Sequence, residues 1–275
     1  MPEGDSLRNI VRALTPLLAG QRLVELWTDG IRHPTLSDVT IGPPRARGKH
    51  LLIPLGDHVV LHVHHGLNGA WHAYRPGERW RQSPRRAPLR LRTPDAVLPC
   101  FDPMLVELLD ARSADRHPMI ARLGPDLLDA APDLDAVLAR ARACGRLSIA
   151  AVLLDQTVAA GIGNIYKNEV LFISGTHPWT SPSVLSDDAL RGLFALGSEL
   201  MHTNVRPGMR ATIPLSLQKR HRERFWVYGR AGAPCLRCGT KITRRQQGDE
   251  GRDTLWCRRC QPAPAPGTHA PDWRG

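Results

Sequence analysis

The sequence predicts a multidomain α+β protein: a β-rich first part, a helical second part and a cysteine-built hairpin near the end. Three observations predict it. Between residues 22 and 112, short apolar runs are separated by glycine and proline clusters, the pattern of antiparallel strands in a sandwich or barrel. From Leu134 onward the apolar residues recur at helical spacing. Finally, Cys235-x2-Cys238 and Cys257-x2-Cys260 form two matched pairs with 18 residues between them. The chain has 275 residues, more than one typical core needs, and 42% of them are hydrophobic.

The elements follow in order. Leu7, Ile10, Val11, Leu14, Leu17 and Leu18 mark a first helix, with Asp5 as its expected N-cap and Gly20 as its terminator. Pro16 is expected to bend or shorten the last turn. Strands are expected over Arg22–Thr28, His50–Leu55, Val59–His65, Leu89–Arg92 and Ala96–Phe101, with Arg75–Pro88 as a polar loop. A first domain over 1–112 is then followed by a linker over 113–132, which carries Pro118, Gly124, Pro125 and Pro132. A helical domain over 133–222 contains one helix on Leu134, Val137, Leu138 and Ala141, a second over Ile149–Ala160, and a third capped by Ser186. Residues 223–261 form a compact cysteine-rich unit. The tail over 262–275, with four prolines and no periodicity, is expected to be disordered.

The formal charge is +11, and its position is more telling than its size. Residues 206–260 hold 14 lysines and arginines against 4 acidic residues, a local charge of +10, while the rest is nearly neutral. A basic field beside a metal-type motif suits a polyanion-binding end; a solvated basic face is the plainer reading. No apolar run approaches the ~20 residues that a membrane span needs. No basic-then-apolar leader is visible, so a reducing cytoplasm and no membrane partner are expected. In that compartment cysteines serve as ligands or core residues.

Four thiolates in two C-x2-C turns close a tetrahedral site with no open position, so Cys235, Cys238, Cys257 and Cys260 are expected to hold one structural Zn2+. Lys241–Arg245 and Thr254–Trp256 suit two strands joined by a turn over Gln246–Arg252. Cys100 and Cys144 stand alone and read as buried small apolar residues. The run Gly161-Ile162-Gly163-Asn164 lies between two helical patterns. Such a turn is weak evidence by itself, since ordinary connectors look the same, but it presents N–H groups at a helix start, where phosphate binds. At the other end, Met1 before Pro2 invites removal of Met1. A free Pro2 is a secondary amine, able to attack an electrophilic sugar carbon and form a cationic imine. Glu3 and Lys49 could manage protons nearby.

Taken together, the pieces resemble the formamidopyrimidine-DNA glycosylase/endonuclease VIII family over roughly residues 2–261. They are Pro2-Glu3-Gly4, Arg47-Gly48-Lys49-His50-Leu51-Leu52, Arg122-Leu123-Gly124-Pro125-Asp126-Leu127, the run from Gly161 to Phe172 (GIGNIYKNEVLF), Val227-Tyr228-Gly229-Arg230, and the cysteine hairpin ending Trp256-Cys257-Arg258-Arg259-Cys260-Gln261. The resemblance implies a two-sheet β-sandwich, a helix–two-turns–helix domain and a zinc finger. It also implies DNA as partner, a flipped-out damaged nucleotide and a monomer. By motif position, Pro2 is the nucleophile at C1′ and Glu3 the acid that opens the sugar ring. Lys49 assists catalysis and touches phosphate. Asn164 and Arg252 grip the phosphates flanking the lesion, Glu169 matches a pocket glutamate, and Leu67 aligns with the wedge that enters the base stack. Base loss then runs on into β- and δ-elimination.

Two departures matter. Asp5-Ser6 follow Pro2-Glu3-Gly4 where many members carry Pro-Glu. The stretch Cys100–Asp110 lacks the Arg/Phe pair with which the 8-oxoguanine branch fills the vacated stack. The expected substrates are therefore oxidised pyrimidines and abasic sites. An 8-oxoguanine-type glycosylase and a non-catalytic DNA-binding zinc protein on the same scaffold stand as alternatives.

Overall fold

The computed structural model describes residues 2–145, 147–248, 251–265, 267, 268 and 270. The chain forms two compact units that divide after Arg122.

The first unit opens with α1 (Gly4–Leu18) and continues through β1 (Glu25–Thr28), β2 (Ile31–Arg32), β3 (Arg45–Arg47), β4 (His50–Leu55), β5 (Val59–His64), β6 (Ala70–Trp71), β7 (Leu89–Arg92), β8 (Val97–Phe101), β9 (Leu105–Asp110) and the short α2 (Pro118–Ala121). It is a β-sandwich. One sheet has the order β2-β1-β7-β8-β6 and the other β3-β4-β5-β9, with every pairing antiparallel. Strand alternation places Leu26, Leu89, Leu91, Leu98 and Cys100 of the first sheet in one apolar cluster with Leu51, Ile53, Leu55, Leu61 and Val63 of the second. Leu7, Leu14 and Leu18 of α1 complete that cluster. Leu52 and Val60 face the other way. They are buried too, because Ala114 and Ile120 pack over them. The His50–Leu55 run is therefore almost continuously apolar: its sheet is covered on both sides.

Three expectations for this unit need correction. Residue Glu3, not Asp5, occupies the N-cap position of α1, and Asp5 is buried in the first turn. The helix runs through Pro16 to Leu18, where Gly20 (φ 77°) follows the exit. The strands β2, β3, β6 and β9 have no counterpart in the sequence expectations. Finally, the expected linker is partly built: residues 114–116 form a 3-10 turn and 118–121 a helix.

The second unit contains α3 (Leu134–Ala143), α4 (Ile149–Leu154), α5 (Asn164–Ile173), α6 (Asp187–Thr203), α7 (Leu215–His221), β10 (Thr243–Gln247) and β11 (Arg252–Trp256). Side chains of Asp133, Ser148 and Ser186 cap α3, α4 and α6 by accepting from the N–H groups of Ala136, Ala151 and Ala189. The second helix is shorter than its apolar pattern. Asp155 leaves helical geometry and its carboxylate accepts from the Thr157 N–H at 2.8 Å, a local alternative to the helix ladder. A core of Val137, Leu138, Ile149, Leu153, Tyr166, Val170, Leu190 and Phe194, among others, joins α3 to α6. The tail is not free where it is described: Ser181 donates to the Thr268 carbonyl and the buried Ala270 to that of Trp179. The remainder of the expected disordered tail, Pro266, His269 and 271–275, lies outside the described residues. Among the described residues no helix is long and apolar enough to cross a membrane.

Candidate catalytic and nucleic-acid-binding sites

In the first unit, Pro2 is half-buried immediately before α1, and Glu3 is fully buried. Met1 lies outside the described residues. The helix that carries this start packs on β3 and β4 through its Leu7, Leu14 and Leu18 face. Lys49 sits in the two-residue turn joining those strands, and its charge helps hold the His50 and His64 imidazoles below their ordinary range, after burial itself. The His50 pKa is lowered to about 3. A cationic amine and neutral imidazoles thus share this end of the sheet.

Leu67 occupies the tip of the turn after β5 and is 60% exposed, so it is not a core leucine. The turn closes through Gly69 N–H to the His65 carbonyl at 2.9 Å, and any Cβ on Gly69 would collide with that carbonyl. A second apolar side chain stands beside it. Met104 is 62% exposed, its N–H donates to the His64 carbonyl, and its Cβ packs against Gly66. Met104 lies in the Cys100–Asp110 stretch that lacks the Arg/Phe pair; Phe101 of the same stretch is buried in the first unit and is not at this surface.

In the second unit, the glycine turn is ordered by Gln156, which lies outside the glycine motif. Gln156 donates from Nε2 to the carbonyls of Leu154 and Ile162 and accepts the Gly161 N–H on Oε1 at 3.1 Å. Gly161 holds φ 117°, which side-chain-bearing residues avoid. The turn delivers Asn164 to the first position of α5.

There Asn164 donates its amide to the Asp253 carbonyl on β11 at 3.1 Å. It is not isolated in doing so. The buried Lys167 Nζ reaches the same carbonyl at 3.2 Å and Thr254 Oγ1 at 2.8 Å. Asn168 donates to the Asp253 carbonyl and accepts the Leu255 N–H at 2.7 Å. One face of α5 therefore holds the hairpin through its backbone. Arg252, expected in the hairpin turn, is the first residue of β11. Part of that turn, Asp249 and Glu250, lies outside the described residues.

Glu169 needs a correction. It was expected to face DNA, yet it is fully buried, and its carboxylate accepts the N–H groups of Trp226, Val227 and Tyr228 at 2.8–2.9 Å together with the Thr212 hydroxyl. Burial pushes its carboxyl above the usual carboxylate range, and the four donors offset only part of that. The side chain holds the 226–228 segment and has no free oxygen to offer a ligand.

The four cysteines converge. Their Sγ atoms lie within 4.8 Å of one another, with Cys238 to Cys257 at 3.4 Å and Cys235 to Cys260 at 3.9 Å. A tetrahedral Zn2+ with bonds near 2.3 Å sets its sulfurs about 3.8 Å apart, so the set fits zinc. Arg237, between the first two cysteines, stacks over Phe172 and Trp226 and donates to the Phe172 carbonyl at the end of α5. Around this unit Arg206, Arg222, Arg224, Arg244, Arg258 and Arg259 are exposed, as a polyanion-binding surface requires. The lone cysteines differ from each other: Cys100 is buried in the sandwich core, whereas Cys144 is only partly buried.

Comparison with known proteins agrees along the whole chain. Residues 1–113 match the formamidopyrimidine-DNA glycosylase N-terminal domain, and residues 123–213 the formamidopyrimidine-DNA glycosylase H2TH domain. A probable endonuclease 8 2 of Streptomyces coelicolor is 35% identical over 97% of this chain and 96% of its own length. The DNA-(apurinic or apyrimidinic site) lyase Nei2 of Mycolicibacterium smegmatis is 36% identical over 96% of this chain and 100% of its own. The crystal structure of Lactococcus lactis formamidopyrimidine-DNA glycosylase, bound non-covalently to DNA with an abasic site, superposes with a TM-score of 0.78 at 23% identity. It covers 95% of this chain and 100% of that one.

Proposed function

The chain belongs to the formamidopyrimidine-DNA glycosylase/endonuclease VIII family, and on that premise we propose that it is a base-excision repair glycosylase with abasic-site lyase activity, working through Pro2. The observation that carries this reading is the conjunction of full-length relatives of that activity with an intact Pro2-Glu3 start, in which Glu3 is buried at the cap of α1.

The steps follow from the groups in place. The free Pro2 nitrogen attacks C1′ of the flipped nucleotide. The C1′–N bond to the base breaks, and the base leaves with a proton. Glu3 protonates O4′ as the C1′–O4′ bond opens, which leaves an iminium between Pro2 and C1′. The iminium acidifies the C2′ proton. Its loss expels the 3′ phosphate, and a second elimination expels the 5′ phosphate. Water hydrolyses the imine and frees the amine. Lys49 steadies phosphate charge through these steps. Asn164 and Arg252 hold the backbone on either side of the lesion, with Asn164 exchanging its Asp253 partner for phosphate. Cys235, Cys238, Cys257 and Cys260 would hold a structural zinc that keeps the hairpin in shape and takes no part in the reaction. The enzyme acts as a monomer on chromosomal DNA in the cytoplasm.

The substrates are oxidised pyrimidines and abasic sites. Leu67 and Met104 fill the vacated stack as an apolar wedge, offsetting part of an unstacking cost of a few kcal/mol, and offer little to read the opposite base. Borohydride trapping on abasic DNA tests the chemistry, since only an amine nucleophile leaves a covalent adduct. Single-turnover excision on duplexes carrying thymine glycol, 5-hydroxyuracil or 8-oxoguanine tests the lesion. A faster rate for 8-oxoguanine opposite cytosine than for every pyrimidine would assign the enzyme to the purine branch.

A further inference from the structure

The outer face of the β3-β4-β5-β9 sheet, away from the sandwich core, carries a group of side chains that the reaction does not use. Strand register brings His62 of β5 opposite Glu107 of β9. His117, at the start of α2, closes over them from the segment that packs on Leu52 and Val60. His62 Nδ1 lies 3.0 Å from Glu107 Oε2, and His117 Nε2 lies 3.5 Å from the same oxygen. One ligand atom from each of the three falls within 4.8 Å of the others.

We propose that His62, Glu107 and His117 form a second divalent-metal site, of the imidazole–carboxylate type that takes zinc. The spacing carries the argument. Bonds of about 2.0–2.1 Å to a tetrahedral Zn2+ set neighbouring ligand atoms about 3.3–3.4 Å apart, and the two distances here bracket that value. Ligand orientation agrees. His62 is fully buried, and its other ring nitrogen is hydrogen-bonded to His50 Nδ1 at 2.8 Å. That bond fixes the ring and leaves Nδ1 directed at the carboxylate, as the outer partner of a metal-bound histidine does. Access agrees as well: Glu107 is 33% and His117 20% exposed in their side chains, enough for a cation and a bound water to enter from one side. The chemical preference is for zinc or a similar first-row ion over Mg2+ or Ca2+, because two of three donors are imidazoles. When filled, the site pins residue 117 to β5 and β9, five residues before the boundary between the two units.

The experiment counts zinc in the full-length protein after dialysis against micromolar zinc. Two zinc ions per chain are expected. His117→Ala and Glu107→Gln, both on partly exposed side chains, should each hold one, and Cys238→Ser should also hold one. Cobalt separates the two sites by colour. The four-cysteine site gives intense sulfur-to-metal absorption in the near ultraviolet, while the second equivalent should add only weak visible bands that His117→Ala abolishes. Added zinc should raise the unfolding temperature of the parent above that of His117→Ala. One zinc per chain in the parent, or a second equivalent that survives in both variants, would overturn the site and leave the triad a hydrogen-bond network.

Discussion

The two units hold their sheets in opposite ways. In the first, two sheets close face to face on an apolar cluster of leucines and valines supplied by both, with α1 sealing one end. In the second, the β10–β11 hairpin has little apolar surface to bury. Ile242, Leu255, Cys235 and Cys257 join Phe172 and Val227 in a small cluster, and Trp256 is buried against Trp179. Its attachment is polar: Asn164, Lys167 and Asn168 of α5 all reach β11 backbone or hydroxyl groups. An apolar cluster is non-directional and tolerates exchange of one side chain for another of similar volume. A set of buried donors is not tolerant, because removing any partner strands another. The proposed nucleophile Pro2 belongs to the tolerant unit, and the basic surface to the exacting one.

That contrast is sharpened most by separating chemistry from grip. Pro2→Gly is expected to lower strand nicking more than ~10^3-fold, the scale of losing a nucleophile, while duplex affinity and thermal unfolding stay at parent values. Nicking at the parent rate would show that the reaction does not need the secondary amine of proline. The converse experiment removes the metal. Chelation of zinc, or Cys238→Ser, should abolish specific binding to abasic DNA while the sandwich keeps its cooperative unfolding, since a four-thiolate site contributes its energy to its own small unit. Full DNA affinity in the chelated protein would break the division of labour.

The next effect is on stability alone. Glu169→Ala leaves three N–H groups of 226–228 without an acceptor and should destabilise the second unit by about 2–4 kcal/mol. Hydrogen exchange at residues 226–228 should rise while the sandwich amides stay protected. An effect confined to DNA binding, with unchanged exchange, would restore Glu169 to the ligand surface.

Acid is a stress that should cost the first unit more, because burial lowers His50, His62 and His64 there in addition to His65. His65 in the first and His177 in the second are buried, and burial lowers each pKa to about 4. The folded values lie below the ordinary value near 6.5, so the unfolded chain takes up protons first. Their contribution is therefore complete above pH 6.5 and is lost as pH falls from there to about 4, by up to ~1.4 kcal/mol per pH unit for each. Urea unfolding at pH 7, 6 and 5 measures it. Stability that rises toward pH 5 would contradict the sign.

The smallest change concerns one phosphate. Arg252→Ala should weaken abasic-site binding with little dependence on surrounding sequence, and reduce the slope of log affinity against log salt by about 0.9. An unchanged slope would remove Arg252 from the contact set.

Much of this was legible in the chain. Short apolar runs between glycine and proline clusters marked β4, β5, β7 and β8, because β4, β5 and β8 are buried on both faces and β7 on one. The cysteine pairs announced the metal geometry, because thiolate chemistry demands that spacing. Strand β9 is not legible in the sequence, because Leu105–Leu109 is half-buried and has no clean alternation. The apolar pattern of α4 overstates the helix because it continues past Asp155, whose side chain competes for the backbone. The place of Glu169 is not legible either, because no local pattern tells a buried carboxylate from a pocket one: its partners stand 43 to 59 residues away. Lys167 reads as a surface lysine for the same reason, since its hydroxyl acceptor is 87 residues further on.

The long reach of α5 has a consequence for synthesis. A ribosome delivers the chain from its first residue, and the sandwich has every strand it needs once residue 110 has emerged. Helix α5 has no such independence. Its lysine, two asparagines and glutamate leave the exit tunnel with acceptors and donors that do not yet exist, and the last of them arrives with β11. The second unit can close only after translation is nearly done. A message truncated before codon 252 would yield a finished sandwich followed by a helix with a buried-type ammonium exposed to water, a product that quality-control proteases could distinguish from the complete enzyme by that segment alone.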